Sequence, residues 1–142
     1  MKQFLKLAAA AAAGAVASGS IVYAQANKPA DPQAIVSLYR AAPGQQESLL
    51  RWLAQQDRVA RAVGQAPIQL YVHTSGDSWD FMGINPVTTS AQDDAFDAEA
   101  KKMGVTAGPR AGVELRKYLA VHTDTTTIGP ITSDQALARI AQ

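Results

Sequence analysis

Two histidines, an arginine and five aromatic side chains fall on one alternation of the extended segments of this chain, and together they could hold a small flat molecule. The set is Tyr39, Tyr71, His73, Trp79, Phe81, Arg116, Tyr118 and His122. Imidazole can exchange a proton near neutrality, guanidinium can orient a polar or anionic group, and the rings supply apolar walls. Ser37 and Gln69 share that register, and five of the nine aromatic residues belong to it. A solvated sheet face normally carries more Lys, Glu and Thr and fewer large rings, so this face is expected to meet a partner or line a cavity. No residue of the set is assigned a catalytic role.

Much familiar chemistry is excluded. There is no cysteine, which removes disulfides, thiolate nucleophiles and iron–sulfur ligation. No Gly-x-Ser-x-Gly, phosphate loop, dinucleotide fingerprint or His-Glu-x-x-His occurs. Asp93, Asp94, Asp97 and Glu99 lie in the first half of a helical stretch, where carboxylates favour the helix dipole, and Asp77 and Asp80 flank a turn. None is expected to hold a metal.

The elements that must position these residues are readable from periodicity. Ala34 to Arg40 reads as a strand ended by Pro43-Gly44. From Gln45 to Val63, the positions Leu49, Leu50, Trp52, Leu53, Val59, Ala60 and Val63 recur at helical spacing, closed by Gly64. Ile68 to Thr74 and Trp79 to Asn85 form a hairpin across Ser75-Gly76-Asp77-Ser78. A second helix is expected from Ala91 to Met103, capped by Ser90 with Asp93 and stopped by Gly104. Val105 to Gly112 reads as a loop, Val113 to Thr123 as a long strand, and Thr132 with Gln135 caps a terminal helix over Ser133 to Ala141.

That order is strand, helix, strand, strand, helix, strand with one helix appended, an α+β class chain with the split βαβ pattern of a ferredoxin-like sandwich. Over about residues 34–130 the chain resembles the dimeric α/β-barrel superfamily, in which two such sheets pair into a barrel. The resemblance rests on element order and on the polar, aromatic sheet face. It implies a homodimer with that face lining the lumen, and a role in binding a small apolar or aromatic ligand. It also implies two alternatives, a cofactor-independent monooxygenase-like or haem-handling enzyme, and an interaction protein with no ligand. The aliphatic register, Val36, Leu38, Ile68, Leu70, Val72, Met82, Ile84, Val113, Leu115, Leu119 and Val121, is expected beneath the helices.

In the sheet order of that fold, His73 and His122 lie on opposite edge strands, about 14 Å apart. One subunit cannot bring both within the roughly 2.1 Å that zinc requires. No cofactor is expected, with haem ligated by a single lumen histidine the one exception left open.

The first 26 residues read as an export signal. Lys2 and Lys6 precede an apolar stretch from Leu7 to Val22, and Ala24-Gln25-Ala26 offers small residues for cleavage. Gly14, Ser18, Gly19 and Ser20 interrupt the stretch, which is shorter than the roughly 20 strongly apolar residues of a spanning helix. Residues 27–33, with Pro29 and Pro32, read as a flexible leader, and 34–142 as one domain. The expected location is periplasmic or secreted, with no membrane association after cleavage. Thirteen basic residues balance twelve acidic ones, so nothing attracts nucleic acid.

Overall fold

The computed structural model describes residues 32–76 and 78–141. The expected export signal and all of the expected leader before Pro32 lie outside them. Strand β1 (Gln33–Ala41) begins inside the stretch read as leader and is followed by helix α1 (Gln46–Ala62), β2 (Gln69–Val72), β3 (Phe81–Pro86) and α2 (Ser90–Lys102). A short helix α3 (Pro109–Leu115) and one 3-10 turn (Arg116–Tyr118) lead into β4 (Leu119–Ile128), and α4 (Ser133–Ile140) ends the chain. The four strands form one sheet in the order β2-β3-β1-β4, every pair antiparallel. This is the ferredoxin-like arrangement, α+β in class.

Helix α1 forms because its apolar positions recur on one face, and that face is buried through Leu49, Leu53, Val59 and Ala60. It ends where Gly64 adopts φ +73°, a conformation open to glycine without the Cβ penalty. Helix α2 starts one residue earlier than the sequence suggests. Thr89, not Ser90, is the cap: its hydroxyl accepts from the Gln92 N–H while the Gln92 side chain accepts from the Thr89 N–H. Thr132 and Gln135 make the same reciprocal pair at α4, as the sequence indicates.

Two expectations are overturned. The stretch before β4 is helical, so Val113, Leu115, Arg116 and Tyr118 are not strand residues. Ala111, Leu115 and Tyr118 are spaced for a helix face, and Pro109 suits the first turn because its missing N–H would lack a partner there anyway. The second correction concerns which side of the sheet the helices cover. Tyr39, Ala41 and Phe81 pack with Leu49 and Leu53 of α1 in the core, so the register Ile35, Ser37, Tyr39 and Phe81, Gly83, Asn85 faces the helices. Ile68 and Leu70 do lie under the helices as expected. Val36, Leu38, Met82 and Ile84 lie on the opposite, open side.

Gly83 shows why the sheet takes this phase. A Cβ there would run into Cδ1 of Ile68 and stand 2.9 Å from its Cγ1 and 3.3 Å from Cε2 of Tyr39. Without a side chain at Gly83, Ile68 and Tyr39 settle onto the strand backbone and close the core.

Candidate functional site

The floor of the site begins at Ser37. Its side chain is only 3% exposed, and a buried hydroxyl needs a partner. Ser37 Oγ donates to Asp124 Oδ1 at 2.6 Å, straight across the β1–β4 ladder. Two residues along the same pair of strands, Tyr39 faces His122, and the rings stack at 4.9 Å between centroids and 10° between planes. His122 Nε2 lies 3.0 Å from the same Asp124 Oδ1. Asp124 thus accepts from the Ser37 hydroxyl and lies within ion-pair distance of the His122 imidazole.

Burial pushes the Tyr39 phenol above its ordinary value of 10.0; its hydrogen bond with Ser37 acts the other way, and the negative charges of Asp124 and Asp57 push it up again. Asp57 reaches over from α1, where its Oδ1 also accepts the Ile68 N–H at 3.0 Å. That bond ties the entry of β2 to the helix.

Above the floor, between the sheet, α1 and α2, lies a cavity of about 550 Å³. Ile35, Trp52, Leu53, Ile68 and Phe96 give it apolar walls, and Ser37, Tyr39, His122 and Asp124 belong to its base. The volume falls within the range of ordinary small-molecule pockets. The polar base is not a nucleophilic triad. In such a triad the serine hydrogen goes to the imidazole, whereas here Ser37 donates to the carboxylate and has almost no access to solvent.

The eight residues selected from the sequence do not share one face. Tyr39, Phe81 and His122 are on the helix-facing side, and Tyr118 packs against the core from the 3-10 turn. Tyr71 and His73 are on the open side with Trp79, whose ring packs against His73 at 4.9 Å between centroids, tilted by 37°, and borders a small hollow with Leu38, Arg40 and Val121. Arg116 is exposed in the 3-10 turn. The eight therefore fall into two groups on opposite sides of the sheet, with Arg116 in neither. Ser37, Asp57, Asp124, Trp52 and Phe96 complete the helix-side group and were not among the candidates. The spacing His122-x-Asp124 was the available signal, since both side chains of such a pair fall on one strand face.

The histidines occupy opposite edges of the sheet, as the sequence indicates, and also opposite faces. No group of three metal-ligating side chains gathers among the described residues. His122 turns Nε2 to Asp124 and lays its face on Tyr39, while His73 Nε2 is buried without a partner under the turn at Gly76. Among the described residues no helix is long and apolar enough to cross a membrane.

No family model and no curated protein matches the sequence. Among solved structures the chain is similar to Rv0793 from Mycobacterium tuberculosis, with 14% identity over 72% of this chain and 98% of that one, at a TM-score of 0.48. It is also similar to PA3566 from Pseudomonas aeruginosa, with 17% identity over 74% and 100% of the two chains and a TM-score of 0.46. A third is a dimeric ferredoxin-like protein of unknown function from Thermobifida fusca, at 12% identity, 70% and 92% coverage and a TM-score of 0.45. The likeness is one of fold.

Proposed function

We propose that this is an exported small-molecule-binding protein that works as a homodimer and takes its ligand into the cavity between the sheet, α1 and α2. The observation that carries the reading is the 550 Å³ cavity itself, apolar on its walls and closed below by the Ser37, Asp124, His122 and Tyr39 network. Apolar walls with a few fixed polar groups are what a small-molecule site needs for affinity and orientation. The open side of the sheet supports the dimer. Leu38, Tyr71 and Val121 are exposed there by 37%, 49% and 52%, beside Val36, Met82 and Ile84, an apolar surface of the kind that subunits bury. Export rests on the Lys2 and Lys6 segment and the Ala24-Gln25-Ala26 site; the mature protein is then periplasmic or secreted, and its first residue is Asn27.

A thermal-shift panel of small aromatic molecules tests the pocket. Binding raises the melting temperature in proportion to occupancy. Replacing Ala66, which lines the cavity and is exposed, by Trp should abolish the shift and leave the unliganded melting temperature unchanged. If no member of the panel stabilises the protein, the reading fails.

An enzymatic reading has one observation in its favour. His122 lines the cavity and is held by Asp124, the arrangement that fixes an imidazole for proton transfer. Turnover that disappears in His122→Asn while ligand binding persists would select it; binding without turnover leaves the protein a binder.

A further inference from the structure

The reading of the cavity as a ligand site underlies this inference, which concerns the charge of the ligand. Asp57 from α1, Asp93 from α2 and Asp124 from β4 all line the cavity, and no lysine or arginine does. Each carboxylate is hydrogen-bonded by an uncharged donor: the Ile68 N–H to Asp57, the Thr88 hydroxyl to Asp93 at 2.6 Å and the Ser37 hydroxyl to Asp124. Among the described residues none of the three pairs with lysine or arginine; His122 is the one ionisable partner, at Asp124. Three elements thus bring three carboxylates to one concave surface, and a protonated His122 would offset only one of them.

The same surface is aromatic. Tyr39, Trp52 and Phe96 line it, and ring faces attract cations. Trp52 also keeps a buried indole N–H with no partner in the protein. The raised Tyr39 phenol, pushed first by burial and also by Asp124 and Asp57, shows that two of the three charges act on the cavity floor.

We infer that the cavity selects a small organic cation, an ammonium group carried on an aromatic or aliphatic body. The body fills the space against Trp52, Leu53 and Phe96, and the ammonium group sits among the carboxylates. A carboxylate or phosphate of the same size would lose its hydration beside three like charges and gain no lysine or arginine partner.

Calorimetric titration of the full mature chain with three near-isosteric probes decides it: phenethylamine, phenethyl alcohol and phenylacetate, which are cationic, neutral and anionic at neutral pH. The amine should bind about tenfold more tightly than the alcohol, and phenylacetate most weakly. The advantage of the amine should shrink as salt shortens the Debye length. Asp57→Asn with Asp93→Asn should cut the ratio of amine to alcohol affinity several-fold. Equal or tighter binding of the alcohol or phenylacetate overturns the cation assignment while the pocket stands. Absence of binding by all three, together with a silent thermal-shift panel, overturns both.

Discussion

The imidazole of His122 lies flat on the phenol ring of Tyr39, one strand away, with 4.9 Å between centroids. The contact joins the outer strand β4 to the central strand β1 at the floor of the cavity, and it continues through Asp124 to the buried hydroxyl of Ser37. A small set of side chains therefore fixes both the edge of the sheet and the base of the proposed site.

Removing the acceptor should hurt more than removing the donor. Asp124→Ala removes the carboxylate acceptor of the Ser37 hydroxyl in a 3% exposed position, at a cost of about 1–3 kcal/mol. Ser37→Ala leaves a carboxylate whose side chain is 55% exposed and can return to water, so it should cost about 1 kcal/mol or less. Urea denaturation of the two variants and the double variant gives the coupling; two equal and additive losses would contradict the network.

Gly83→Ala should destabilise the fold by about 1–3 kcal/mol, because the new methyl meets Ile68 and Tyr39. In that background Ile68→Ala should cost less than it does in the wild type, since it removes the side chain that the methyl strikes. Chemical denaturation of all four proteins measures this, and a fully additive result would place the strain elsewhere.

Alkaline pH should weaken the protein through Tyr39. Its phenol titrates higher in the folded chain than the ordinary 10.0, owing first to burial. Between the unfolded and folded values the unfolded chain has released its proton and the folded chain has not. Stability is therefore fully present below about pH 10 and falls as pH rises through that window. Tyr39→Phe should flatten this part of the profile; an unaltered slope would assign it to other groups.

Leu38→Arg places a charge at the centre of the open side, next to Met82 and Thr123 on the flanking strands. Light scattering after size exclusion should show a dimer for the wild type and a monomer for the variant, with unchanged circular dichroism. A wild-type monomer at micromolar concentration would remove the dimer from the proposal.

The order of elements was legible because the sequence carries clear periods: helical spacing from Leu49 to Ala60 and a turn between two alternating runs. The faces were harder. Alternation along β1 separates Ser37 and Tyr39 from Val36 and Leu38, but hydrophobicity alone assigns the aliphatic pair to the interior. The interior instead takes Tyr39 and Phe81, which fill the space over Gly83, and leaves Val36, Leu38, Met82 and Ile84 on the open side, while Ile68 and Leu70 stay under the helices. A sheet apolar on both faces gives no local sign of which face the helices cover. The run from Pro109 to Tyr118 misled for a related reason. Val113 and Leu115 alternate around Glu114 as a strand would, although Ala111, Leu115 and Tyr118 keep helical spacing. The expected strand stops at Thr123, yet β4 runs through Asp124 to Ile128; aspartate is a poor strand former, and its cost here is offset by the Ser37 hydroxyl that donates to it and by the His122 imidazole beside it, both brought there by tertiary structure.

The two-residue repeat of β1 gives the domain an uneven tolerance to change of length. Deleting or adding one residue between Ile35 and Tyr39 would exchange the two sides of the central strand, bringing Val36 and Leu38 under α1 and expelling Ser37 and Tyr39. Substitutions at exposed points of this segment touch one contact each, but a frame change there would dismantle the cavity floor and rewrite the outward surface in a single step. Length variation in relatives of this chain should accumulate instead in connections such as 103–108, where no strand register depends on the count.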